Sequence, residues 1–268
     1  MNNQGLSYKK NILSRVFEDF GTEIEFTIGQ SLSFKEYLAG DLLLIISGSA
    51  RLIENENNRP RTLMKLSAGD FVGVCSNLRG ESCEEVRASE KIKALSLSAE
   101  KFKTIYEENQ DLKDFCDNHL WDAEIADLIS KLLNNLPFKN TFQLDYCLQK
   151  IKPIAKLIDS KKIKVQYPII PKSTLFLASK SSKDNIGLEI KSIEEVDSLT
   201  KEKSSFPQRF ISIKLDQFSN IYDYINNKSK INLNEDIKNK RIENIPIAPN
   251  TPSVSSLQLD VLPKDILI

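Results

Sequence analysis

Side chains able to do acid–base, nucleophilic or metal chemistry are scarce in this chain. There is one histidine, His119, and there are four cysteines, Cys75, Cys83, Cys116 and Cys147. Any mechanism needing several histidines is therefore excluded. No two cysteines stand as C-x-x-C and none has zinc-type spacing, so no metal centre is expected. Cys75 and Cys83 could face each other across a loop. Four scattered thiols, in a chain whose polar start leads into no apolar signal core, are nevertheless expected to stay reduced in a cytosol. On a single helix His119 and Asp122 would share a face, which predicts a surface hydrogen bond; no serine or cysteine nucleophile is tied to them by sequence. The basic run Lys161-Lys162-Ile163-Lys164 reads as a solvated strand or helix end. These residues predict a protein that is not an enzyme.

Composition agrees with that reading. The 268 residues carry 37 basic and 37 acidic side chains, so the formal net charge is zero. Nucleic-acid binders usually carry a basic stripe or domain, so no nucleic-acid partner is expected. With 40% hydrophobic and 28% charged residues, the chain has the make-up of a folded globular protein. Its longest aliphatic run, Leu42 to Ile46, is far too short to cross a membrane, so no direct membrane insertion is expected.

The elements that must position any site follow from periodicity. Ile12, Leu13, Val16, Phe17 and Phe20 predict an amphipathic helix over Leu6–Phe20. Ile24, Phe26 and Ile28 then alternate with polar residues, as in a half-buried strand. Short strands are expected at Ser31–Phe34, Leu42–Ser47, Ala50–Glu54, Arg61–Leu66, Val72–Val74, Val86–Ala88 and Ile92–Leu97, separated by Gly-Asp and Ser-Gly turns. Such spacing predicts an antiparallel barrel or jelly roll. Ser98 is placed to cap a helix with Glu100 in its first turn and Phe102, Ile105 and Tyr106 on its apolar side. A long helix is expected over Asp111–Leu136, with the stripes Leu112/Phe115/Cys116 and Ile129/Leu132/Leu133 serving as core or dimer interface, and Trp121 packing among the helices. A further helix is expected over Gln143–Asp159, kinked at Pro153. Strands are then expected at Lys164–Ile169, Ser173–Ala178, Ile186–Ile190 and Arg209–Lys214, with Lys191–Gln208 as loop and a helix over Gln217–Lys228. The fold class expected is mainly β with helices (α+β): a jelly roll with flanking hinge helices over residues 1–136, a smaller α+β region over 137–225, and a flexible Pro/Asn/Ser-rich tail over 226–268.

The run Ala39-Gly40-Asp41, Leu42–Ile46, Ser47-Gly48-Ser49-Ala50-Arg51-Leu52, then Leu66-Ser67-Ala68-Gly69-Asp70-Phe71-Val72-Gly73, resembles the cyclic nucleotide-binding domain family of the Crp/Fnr type. Glu85-Val86-Arg87-Ala88 and Ile92–Leu97 resemble its closing strands, and Ser98–Phe102 the start of its hinge helices. The resemblance implies a ligand loop whose short helix holds a cyclic phosphate on backbone N–H groups. It implies a Glu after the loop's glycine for the ribose hydroxyl, and an Arg near the loop's end for the phosphate. The chain departs at both places: Val74 follows Gly73, and the arginine position falls at Ser82 or Cys83, ahead of Glu84 and Glu85. The loop is also about two residues short. Arg79, read as lying at the loop tip, and Arg87 are the substitutes for the phosphate anchor. Gly73, Val74, Cys75, Arg79, Ser82, Cys83, Arg87 and Ala88 are therefore the candidate ligand-binding residues of a degenerate loop. No cofactor is expected, a cyclic nucleotide being the one candidate.

A fainter likeness runs along the whole chain. The jelly roll, helical hinge, Thr174–Ser179, Ile186-Gly187 and Arg209–Ile213 are similar to the N-terminal region of cyanobacterial peptidase-containing ABC exporters. That implies a cytoplasmic regulatory or sensor module working on a protein partner or exporter subunit, with a homodimer through the hinge helices also open. A functional cAMP or cGMP receptor is one alternative. A transcription regulator without an obvious helix-turn-helix is the other.

Overall fold

The computed structural model describes residues 11–56, 59–134, 147–158, 163, 173–181, 184–201 and 204–214. Helix α1 (Ile12–Phe20) opens on a reciprocal cap: Asn11 Oδ1 accepts from the Ser14 N–H and Ser14 Oγ accepts from the Asn11 N–H, each at 2.8 Å. Eight strands follow, β1 (Thr22–Phe26), β2 (Ser31–Ser33), β3 (Asp41–Ser47), β4 (Ala50–Glu56), β5 (Arg59–Leu66), β6 (Phe71–Val72), β7 (Glu85–Ala88) and β8 (Ile92–Ser98). They form two four-stranded antiparallel sheets, β1-β8-β3-β6 and β2-β7-β4-β5. This is the expected α+β class with a jelly roll. Burial explains why Leu42–Ile46 reads as an unbroken apolar run. Leu43 and Ile45 of β3 face the interior between the sheets, with Leu52, Val86 and Ile92, while Leu42 and Leu44 face the helices with Phe17 and Phe102. A central strand covered on both faces loses the alternation of a half-exposed one.

The turn between β3 and β4 needs glycine. Gly48 has φ +87°, and a Cβ there would run into the Lys91 carbonyl.

Helix α2 (Val74–Arg79) crosses the end of the roll, and α3 (Ala99–Glu108) follows with Ser98 Oγ accepting from the Lys101 N–H and Glu100 in its first turn. The expected helix over Asp111–Leu136 is instead two, α4 (Gln110–Asn118) and α5 (Asp122–Asn134). The break has a cause distant in sequence. The Arg209 guanidinium donates to the Cys116 and His119 carbonyls at 3.0 and 2.7 Å, satisfying two acceptors of the last turn of α4. His119 is thus a cap residue off the helix, and Asp122 pairs with Lys152 at 2.6 Å rather than with His119. Leu112, Cys116 and Ile129 are covered by the chain itself.

A third antiparallel sheet has the order β11-β10-β12-β9, from β9 (Lys156–Ile158), β10 (Ser173–Leu177), β11 (Glu189–Ile190) and β12 (Phe210–Lys214). Phe176 and Ile211 face α5 while Leu175, Leu177 and Phe210 face α6 (Ile193–Thr200). Three expectations are corrected here. Lys156–Ile158 is a strand and not the end of a helix, because it pairs with Phe210–Ser212. Within Ile186–Ile190 only Glu189–Ile190 is strand, since Asn185–Leu188 closes a turn. Lys191–Gln208 is not all loop: Ser192 caps α6, which buries Val196 and Leu199. The strand expected at 164–169, the helix at 217–228 and the tail from 226 lie outside the described residues. Among the described residues no helix is long and apolar enough to cross a membrane.

Candidate functional site

The loop from Gly73 to Ala88 is built by β6, α2 and β7. Gly73 caps α2 with φ +84°, a left-handed conformation that turns the chain straight from β6 into the helix. Val74 is consequently the first residue of α2 and not the end of a strand. It is buried, as are Cys75, Leu78 and Cys83, in the cluster beneath the helices.

The place where the start of α2 would receive an anion is taken by the chain. Glu84 Oε1 accepts from the Gly73 N–H at 2.9 Å and from Ser76 Oγ at 3.0 Å. Glu84 is 3% exposed. Burial raises its carboxyl above the ordinary 4.5, against the hydrogen bonds of Ser76 and Gly73 and the charge of Arg79, which lower it. Ser76 Oγ also accepts from the Cys83 N–H at 3.2 Å, so the carboxylate, the hydroxyl and the following loop form one closed set.

Arg79 is not at a loop tip. It is the last residue of α2, and its side chain is fully buried. Its Nε donates to the Ala178 carbonyl at 2.8 Å and its Nη2 to Asp127 Oδ2 at 2.8 Å. Lys131 and Lys35 stand 3.3 and 3.8 Å from the Asp127 carboxylate. The Lys180 N–H donates to the Arg79 carbonyl, so both ends of Arg79 are tied to the segment after β10. Arg87 is spent as well: it bonds Glu85 Oε1 through Nε and Nη2 at 3.1 and 2.9 Å. Ser82 Oγ donates to the Phe34 carbonyl, Ala88 exchanges backbone bonds with Gln30 and Gly29, and Glu81 pairs with Lys131. The candidate residues share one loop, in which Arg79 is bonded to Asp127 and Ala178 and Arg87 to Glu85.

Cys75 and Cys83 are free thiols with sulfurs 3.5 Å apart. Burial, then the Cys83 contact, raises the Cys75 thiol well above its usual value, which suits packing and not nucleophilic attack. Burial likewise pushes the Cys116 and Cys147 thiols up to about 12.

Sequence reasoning missed two groups. Glu124 and Asp127 of α5 are both buried carboxylates, one turn apart. Glu124 takes a two-pronged contact from Arg209, Nε–Oε1 at 2.7 Å and Nη2–Oε2 at 2.9 Å, while Asp127 takes Arg79. Their i, i+3 spacing on one face of α5 was the available signal. The second group surrounds a cavity of about 430 Å³ between the β4–β5 hairpin and the α4–α5 junction, flanked by Cys75 and Glu84. Four rings border it in sequence of contact. Phe71 meets Trp121 edge-on at 6.0 Å, Trp121 meets His119 at 4.3 Å, and His119 stacks on Phe115 at 5.1 Å. Partial enclosure, with Arg209 nearby, lowers the His119 pKa.

Known structures align with part of the chain. The regulatory subunit of a cAMP-independent protein kinase A from Trypanosoma cruzi, bound to guanosine, is 16% identical over 36% of this chain and 38% of its own, with TM-score 0.30. A related subunit from Trypanosoma brucei is 16% identical over 41% and 45% of the two chains, with TM-score 0.32. A transcriptional regulator from Thermotoga maritima is 21% identical over 47% and 98%, with TM-score 0.37. The chain thus spans less than half the length of the trypanosomal subunits. No curated protein matches it significantly in sequence. Residues 23–109, from β1 to the start of α4, match the cyclic nucleotide-binding domain family.

Proposed function

We propose that the chain is a non-enzymatic regulatory module, in which a cyclic nucleotide-binding domain keeps the family's loop but fills its phosphate cradle with its own Glu84. One observation carries the reading: Glu84 Oε1 holds both the Gly73 N–H and the Ser76 hydroxyl. A cyclic phosphate entering there would have to displace the carboxylate or stand beside it. Two like charges a few ångströms apart disfavour that at any plausible dielectric. The arginine that could compensate is committed to Asp127.

The same ties suggest how such a module signals. Helix α5 is held to the loop through Arg79–Asp127 and to the third sheet through Arg209–Glu124. A change in the loop would reach the third sheet through α5, and the recipient in this reading is a protein partner in the cytoplasm. An exporter subunit is the candidate offered by the fainter likeness of the chain to the N-terminal region of peptidase-containing ABC exporters. The test is a heat-shift titration of the full chain with cAMP and cGMP. The expected result is no stabilisation at millimolar nucleotide. A rise in melting temperature that saturates at micromolar concentration would refute the filled cradle, because ligand at a hundred times its Kd stabilises by about 2.7 kcal/mol.

A further inference from the structure

The cavity beside the loop has a lining of a different character from an anion site. Its charged side chains are Asp70, Glu84, Asp122 and Lys152. Lys152 is neutralised by Asp122 at 2.6 Å, so Asp70 has no cation among the lining residues, while Glu84 feels the buried Arg79 from behind the lining. Asp70 Oδ2 accepts the Ser67 N–H at 2.7 Å, a neutral donor that leaves its charge in place. Opposite stand the four rings Phe71, Trp121, His119 and Phe115, in unbroken contact. Aromatic faces and carboxylates both attract cations, and together they repel an anion. Leu52, Met64 and Leu66 supply an apolar floor. A space of about 430 Å³ lies in the range of small-ligand pockets. The Trp121 indole N–H adds a second requirement, because it is buried with no hydrogen-bond partner among the described residues. An occupant that supplies an acceptor would relieve it.

We propose that this cavity binds a small aromatic ammonium, held through its cationic head by the rings and by Asp70 and Glu84, and carrying one hydrogen-bond acceptor for Trp121. The proposal rests on the filled-cradle reading, since it needs Glu84 to stay on the chain's own loop rather than give way to a phosphate.

The test compares two probes of equal shape, the (3-hydroxyphenyl)trimethylammonium cation and neutral 3-tert-butylphenol, on the full chain. Trp121 is the chain's one tryptophan, so its fluorescence reports the cavity directly; calorimetry on the same samples supplies the affinities. The cation is expected to bind about tenfold tighter than the isostere, a preference of the size that ring and carboxylate attraction gives. Phe115→Leu should reduce that ratio severalfold while changing the phenol's affinity little, and Glu84→Gln should reduce it too. Equal affinities, a preference for the phenol, or no binding of either probe overturns the cation site. In each of those cases the filled cradle stands so long as cAMP also fails to bind. Binding of cAMP that competes with the cation overturns both.

Discussion

Replacing Arg79 separates a structural tie from a ligand anchor. Its guanidinium is buried completely, meets Asp127 at 2.8 Å, and donates a second bond to the Ala178 carbonyl at 2.8 Å. Removing one member of a buried ion pair costs about 3–5 kcal/mol, because the other charge is left in a low-dielectric interior. For Arg79→Ala the lower part of that range applies. Lys131 and Lys35, at 3.3 and 3.8 Å, still partly compensate Asp127. For Asp127→Ala the upper part applies, since the stranded guanidinium already has one nitrogen, Nη1, without a partner among the described residues. The double variant leaves no buried charge at this place and should be less destabilised than the sum of the singles by about 2–3 kcal/mol. Urea denaturation of the four proteins, followed by circular dichroism, measures this directly. If Arg79→Ala falls within about 1 kcal/mol of wild type, Arg79 is not committed to Asp127. It is then free to serve a ligand, and the reasoning fails.

Other substitutions test the remaining ties. Arg209→Lys should cost about 2–3 kcal/mol, because an ammonium cannot reproduce the two-pronged Glu124 contact while also donating to the Cys116 and His119 carbonyls; thermal unfolding against wild type checks it. Gly48→Ala should be far more damaging than Gly80→Ala. Both positions have positive φ, but the new methyl meets the Lys91 carbonyl at Gly48 and only Lys180 Cβ at 3.6 Å at Gly80, where the cost is about 1–2 kcal/mol. Comparison of urea midpoints would expose a reversed order. The raised Glu84 carboxyl fixes the sign of a pH effect. As pH falls from neutral towards 4.5, the folded protein takes up this proton before the unfolded chain does, so wild type should gain stability relative to Glu84→Gln. His119, lowered in the fold, acts in the opposite direction below 6.5 but is common to both proteins and cancels in the difference. A difference that falls with decreasing pH would mean that the Ser76 and Gly73 hydrogen bonds and the Arg79 charge outweigh burial, and a flat one that Glu84 is solvated.

The strands of the roll were legible because each is local: Gly-Asp and Ser-Gly turns bound them, and the doubly buried Leu42–Ile46 announces a central strand. The cap of α3 was legible for the same reason, Ser98 and Glu100 lying beside the helix they serve. What misled was long-range. Nothing near His119 breaks a helix; the break depends on Arg209, 90 residues away, supplying donors to the last carbonyls of α4. Arg79 looked like a loop tip because its neighbour is Gly80, and its burial depends on Asp127 and Ala178, 48 and 99 residues distant. Val74 and the Ser82–Cys83 pair, standing where the resemblance implies a Glu and an Arg, could be read from the sequence alone. That Glu84 turns inward onto Gly73, and not outward as one more surface charge, could not, since the residue type permits either and only tertiary packing decides.

The central claim is that Glu84 occupies the start of α2. Its most direct test is the amide resonance of Gly73 in protein labelled with nitrogen-15 glycine, which carries only nine glycines. With Glu84 in that place, the Gly73 amide shifts with pH as Glu84 titrates, loses that dependence in Glu84→Gln, and does not move on addition of millimolar cAMP. A Gly73 signal that ignores the Glu84 titration and shifts with cAMP would contradict it.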